Sequence, residues 1–146
     1  WGSPEYDYTD LSRPMAIDID KDGNVVVADA GNHRIVVYDR TGTLLRSFGK
    51  PGREPGQLDY PYDFGVAPDG TLYVVEYGAN RISHFAADGG FLGTWGTPGF
   101  RPGQLFAPWG ITVDTHHRVV VADTNNGRLQ VLDHPDRVFA RAKVAS

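Results

Sequence analysis

At 146 residues, 40 % apolar and 12 % aromatic, the chain is long enough for one domain with a sizeable core, and its 18 glycines and 10 prolines make it rich in turns. A net charge of −4 gives no electrostatic reason to expect nucleic acid, whose binders usually present a basic surface. The absence of cysteine excludes a disulfide framework and any thiolate metal site, and no apolar run approaches the roughly 18 residues of a membrane span.

From the N-terminus, residues 1–13 read as a loop. Residues 15–20 alternate apolar and polar side chains over most of their length, the two-residue period of a half-buried strand, and Lys21-Asp22-Gly23 is a turn signal. Residues 24–29 form a β-branched run, Ala30-Gly31-Asn32-His33 turns again, residues 34–39 are a third strand, Arg40-Thr41-Gly42 a third turn and residues 43–48 a fourth strand. A second unit follows with strands at 63–67, 71–76, 81–85 and 91–95, and a third at 110–114, 118–123, 128–132 and 137–142. No segment carries the 3.6-residue periodicity of a helix.

The three units are one pattern. Pro14, Pro61 and Pro108 are each 47 residues apart, and the same offset links Asp29, Glu76 and Asp123, and Arg34, Arg81 and Arg128. Phe48-Gly49 returns as Trp95-Gly96, with Trp1-Gly2 one period earlier, and Pro55-Gly56-Gln57-Leu58 returns as Pro102-Gly103-Gln104-Leu105. Repeats of this length are single supersecondary units that bury their apolar faces only by stacking. The prediction is an all-β fold: a β-propeller arc of three four-stranded antiparallel blades in a single domain, 1–146, with a loop at 1–13, blade one at 14–49, blade two at 61–96 and blade three at 108–142. Where Phe or Trp before Gly closed the earlier units, Ala142-Lys143 stands in the third, so the array is expected to run out there. The start at Trp1 without a methionine reads either as a removed leader, with an extracytoplasmic location, or as a beginning inside a longer product.

The run from Pro14 through Asp22-Gly23-Asn24 and Val25-Val-Val-Ala-Asp29 to Asn32-His-Arg34-Ile resembles an NHL repeat, and the other two units match it comparably. The resemblance implies a propeller, most often six-bladed, so three blades amount to half a ring. NHL-type propellers are also similar to the peptide-amidating lyase, in which a histidine follows the repeat proline and zinc sits on histidines from several blades. Here Met15, Tyr62 and Trp109 hold that position.

Asp29 with Arg34, Glu76 with Arg81 and Asp123 with Arg128 place a carboxylate at the end of one strand and a guanidinium at the start of the next, a spacing that allows bidentate pairing across the turn. Because the pair recurs in every unit, it reads as a structural fastener. Asp18-x-Asp20-x-Asp22-Gly23-x5-Asp29 fits a calcium-loop spacing, but it spans two strands without flanking helices and reads as an Asp-Gly hairpin turn. His116-His117 falls on a turn, with His117 at the position of Gly23 and Gly70, while His33, His84 and His134 are scattered, so neither a metal nor another cofactor is expected. Met15, Tyr60, Tyr62, Phe106 and Trp109 gather bulky side chains where the first strands begin, and form the candidate binding face.

An open arc leaves two apolar blade faces in water, which marks an interface. The expected function is a non-catalytic protein-interaction and assembly module that completes a propeller as a homodimer or as a subunit docked in a larger complex, with the 1–13 loop reaching across to the neighbouring chain. The alternatives are a propeller enzyme resembling the peptide-amidating lyase and a binder of small ligands or glycans on the aromatic face.

Overall fold

The computed structural model describes Trp1, residues 10–133 and Pro135. Blade one is built from β1 (Pro14–Ile19), β2 (Val25–Asp29), β3 (Arg34–Tyr38) and β4 (Leu44–Phe48), an antiparallel meander in chain order. Blade two repeats it with β5 (Pro61–Val66), β6 (Leu72–Glu76), β7 (Arg81–Phe85) and β8 (Phe91–Trp95). Its following loop holds a two-residue parallel pair, β9 (Thr97–Pro98) with β10 (Gln104–Leu105), which the sequence pattern did not announce. Blade three shows β11 (Gly110–Val113), β12 (Val119–Asp123) and β13 (Arg128–Leu132). The fourth strand expected at 137–142 lies outside the described residues.

Two of the second turns are tighter than a plain loop. Ala30–Asn32 and Thr124–Asn126 are single 3-10 turns, closed by His33 and Gly127 in the left-handed region. The same conformation recurs at Asn80, so one residue per blade at this 47-residue offset reverses the chain and sets Asp29, Glu76 and Asp123 directly opposite Arg34, Arg81 and Arg128 in the strand register. In the first turn Gly23 and Gly70 take φ of 82° and 87°, and His117 adopts the same hand at 62°. For a side chain with a β-carbon this costs about 1–2 kcal/mol.

Strand alternation sends each sheet's two faces to different neighbours. Val26, Ala28, Ile35 and Val37 of blade one pack against Phe64, Leu72, Val74 and Phe85 of blade two. The opposite face of blade two places Tyr73, Val75 and Ile82 against Ile111, Val119, Val121 and Leu132 of blade three. The leucine that ends each Pro-Gly-Gln-Leu run plugs the seam in front of its own blade: Leu58 enters the first core and Leu105 the second, both without exposed surface. Gln57 and Gln104 hold the loop in shape, their Oε1 atoms accepting from the N–H groups of Glu54 and Arg101.

Leu11 is the counterpart of those leucines one period earlier, and it packs on the outward face of blade one with Val25, Val27, Val36 and Tyr38. The described end of the leading loop therefore lies against the blade that it enters. Gly31 N–H donates to the Ser12 carbonyl at 2.7 Å, Asn32 Nδ2 to the Asp10 carbonyl at 2.8 Å, and the Trp1 ring stands 5.7 Å from that of Tyr38. The reason is local: the turn after β2 offers donors only to the loop that enters the same blade.

Candidate functional site: loop clamps and the aromatic rim

The three buried carboxylates form a repeated clamp. Glu76 accepts from Arg81 Nε at 2.8 Å, from Ser83 Oγ at 2.6 Å and, through its other oxygen, from the Asp59 N–H at 2.9 Å. Asp29 accepts from Arg34 Nε, Asn32 Nδ2 and the Ser12 N–H, and Asp123 from Arg128 Nε, Asn126 Nδ2, Gln130 Nε2 and the Phe106 N–H. Arg81 and Arg128 do not use the bidentate pairing that the spacing allows. Arg81 sends Nη1 and Nη2 to the Arg53 and Gln57 carbonyls, and Arg128 sends Nη2 to the Arg101 and Gln104 carbonyls. One side of each clamp thus holds the β2–β3 type hairpin and the other holds the incoming inter-blade loop. The sequence showed the first function and hid the second, because the loop donors are backbone groups of three unlike residues.

Burial and hydrogen bonding shift two of these carboxyls in opposite directions. Burial in the middle blade pushes Glu76 above the usual carboxylate range, against the pull of Arg81, Ser83 and the Asp59 N–H. Burial also opposes ionisation of Asp123, but the Phe106 N–H, Asn126, Arg128 and Gln130 prevail and hold it below that range. A depressed carboxyl contributes stability that is present above its unfolded value and lost as pH falls through its folded value; a raised one acts the other way. Asp123→Asn should therefore differ most from the parent near neutrality, and the gap in melting temperature should close only as pH falls below the ordinary aspartate value of about 3.9 and on through the lower folded value. A gap independent of pH in thermal melts would contradict the assignment.

On the rim, the residue before each repeat proline is left-handed although none is glycine: Arg13, Tyr60 and Ala107 have φ of 51°, 52° and 49°. Proline disfavours a helical conformation in its predecessor, so each site is strained. The blade before supplies an anchor in two cases: the Tyr60 N–H donates to His33 Nδ1 at 3.0 Å and the Ala107 N–H to Asn80 Oδ1 at 2.8 Å. The anchors His33 and Asn80 are themselves left-handed turn residues.

Of the aromatic face read from the sequence, the structure joins Tyr62 and Trp109, ring centroids 5.7 Å apart, and adds Tyr77, which stacks on Tyr62 at 4.5 Å. Trp109 remains 56 % exposed while Tyr62 is buried beneath it. Tyr60 packs separately against His33, Phe106 is exposed, and Met15 lines an apolar groove on the outward face of blade one with Leu11, Pro14, Ile17 and Val27.

A second cluster lies between blades two and three. Tyr73 stacks on His84 at 4.0 Å, its hydroxyl meets His117 Nε2 at 3.1 Å, and His84 Nε2 meets Thr71 Oγ1 at 2.8 Å. Thr71 in turn donates to Asp69, whose carboxyl, though burial raises it, is held low by Thr71 and by the nearby His117 and His84. Strand order makes His84 and a turn residue of the next blade neighbours, which spacing along the chain does not reveal. Asp20 of the calcium-like run accepts from the Asp22 and Asn24 N–H groups and shapes the turn, while Asp29 is occupied in its clamp. Asp63 ties the inner strands together, accepting from the Ile111 N–H at 3.0 Å, and its burial raises its carboxyl.

Meanders stacked face to face, entered by a repeated loop and left unclosed, are the blades of a β-propeller, and this chain forms an open arc of one. Solved structures agree: hydrazine synthase of Kuenenia stuttgartiensis superposes with a TM-score of 0.69 at 19 % identity over 94 % of this chain and 37 % of that one. Virginiamycin B lyase from Staphylococcus aureus gives 0.62 at 19 % identity over 91 % of this chain and 44 % of its own. At such identities the likeness speaks for the fold alone. The NHL repeat pattern matches residues 11–38 and 107–132, in the first and third units, so the chain carries NHL repeats there. RING finger protein nhl-1 of Caenorhabditis elegans is 40 % identical over 50 residues, 34 % of this chain and 5 % of that protein. The chain thus matches only a small part of its curated relatives' length and less than half of these solved chains.

Proposed function

We propose that the 146 residues act as one non-catalytic interaction and assembly module, in which the end blades dock to complete a propeller and the rim around Tyr60, Tyr62, Phe106 and Trp109 faces a protein partner. The observation that carries this reading is the state of the arc's ends. Ile17 is 71 % exposed on the outward face of blade one, with Ile19 beside it, and Leu129 is 68 % exposed on the outward face of blade three, with Val131 beside it. Large aliphatic side chains in rows on a sheet face are surface prepared for burial. The rim is apolar and the chain acidic, which favours a protein over nucleic acid as partner. Among the described residues no helix is long and apolar enough to cross a membrane.

Sedimentation and light scattering of the purified chain, with an apolar dye added, test the reading. The expected result is an associated species that takes up little dye. A stable species of single-chain mass that also binds no dye would overturn it.

A further inference from the structure

The exposed end faces repeat, position for position, the two halves of a contact that the arc already makes. Blade one presents Val26, Ala28, Ile35 and Val37 to blade two; 94 residues later the same positions are Val120, Ala122, Leu129 and Val131, on the outward face of blade three. Ile35 is fully buried and its counterpart Leu129 is 68 % exposed. Blade two receives blade one with Leu58, Phe64, Val66, Leu72, Val74 and Phe85. One period earlier these are Leu11, Ile17, Ile19, Val25, Val27 and Tyr38, on the outward face of blade one. Phe64 is 4 % exposed and its counterpart Ile17 71 %. One chain therefore carries both sides of its own interior interface, one at each end.

Trp1 extends the match. It contacts Tyr38 as Phe48 of the preceding blade contacts Phe85, at 5.7 Å and 5.0 Å, and these pairs are one period apart. Trp1 also closes on Gly42 as Phe48 closes on Gly89, both glycines leaving no room for a β-carbon. A residue in the place of a neighbouring blade's outer strand is thus already seated on blade one. On the same outward face lies an apolar groove of about 300 Å³, lined by Leu11, Pro14, Met15, Ala16, Ile17 and Val27.

The geometry points to a second copy of this chain as the occupant. Blade three of each copy seats on blade one of the other, head to tail, with Leu129 received beside Leu11 and Ile17, and the contact made twice about a two-fold axis. This rests on the assembly reading above and names its partner. Complementary ends close into a ring when the rotation between copies allows, and two three-blade arcs need only one such axis. The interior anchors His33 to Tyr60 and Asn80 to Ala107 have no equivalent at Gly127, so the contact between copies rests on apolar burial.

The test compares the parent with Leu129→Asp and Ile17→Asp by light scattering, with circular dichroism to follow the fold. The parent should have twice the chain mass, and each variant alone should fall to the chain mass with its β signature kept. Mixing the two variants should restore paired mass, because each retains the face the other lost and one sound contact forms. Should Leu129→Asp lose its β signature, Val131→Asp on the same face replaces it. Variants that stay paired, or a parent found only in complex with other chains, would overturn the second-copy inference and leave the assembly reading standing. A parent of single-chain mass with no dye uptake would overturn both.

Discussion

Replacing Arg81 with alanine is expected to destabilise the chain by about 3–5 kcal/mol, the scale for removing one partner of a buried ion pair. Glu76 has no exposed surface, and the substitution leaves its carboxylate with Ser83 and the Asp59 N–H alone. The Arg53 and Gln57 carbonyls lose their donors at the same time, so the loop before blade two loosens with the hairpin. Because burial already raises the Glu76 carboxyl, loss of the guanidinium raises it further. A raised carboxyl regains stability as pH falls, so the deficit should narrow on acidification. Chemical denaturation at two pH values would show it; an unchanged midpoint would remove the clamp from the account of this fold.

Tyr73→Ala should cost about as much, roughly 3–5 kcal/mol, through a cavity and not a charge. Tyr73 is fully buried at the centre of the contact between blades two and three. Its removal empties the space between His84 and Val119, and releases His117, a left-handed turn residue, from the hydroxyl it meets. Tyr73→Phe separates the effects: it keeps the ring and removes only the hydrogen bond, for about 1 kcal/mol. If both variants melted together, the stacking and packing of the ring would carry no weight.

The strands were legible because a two-residue alternation repeated three times leaves little freedom of register. The Asp29–Arg34 relation and its two copies were legible for the same reason. What lay hidden depended on backbone groups and on contacts between blades. Ser12, Asp59 and Phe106 share a position and offer the same N–H to a buried carboxylate, yet their side chains have nothing in common. Tyr77 joined the aromatic rim from a turn that carried no periodic signal, and His84 met Tyr73 and His117 only because adjacent sheets stack. Gly31, Asn32 and Arg34 donate to the carbonyls of Ser12 and Asp10, contacts with the loop backbone that no side-chain pattern displayed.

Each 47-residue unit brings its own clamp, seam leucine and pair of apolar faces, and the packed seams run from one blade to the next. In such arrays stability adds as unit terms and nearest-neighbour terms. Gain or loss of one whole period then leaves every surviving contact with its former partner, whereas one residue inserted in a strand would turn its side chains to the wrong face. Heritable change in this chain thus has a natural quantum: a duplicated cassette lengthens the arc without a new core having to be invented.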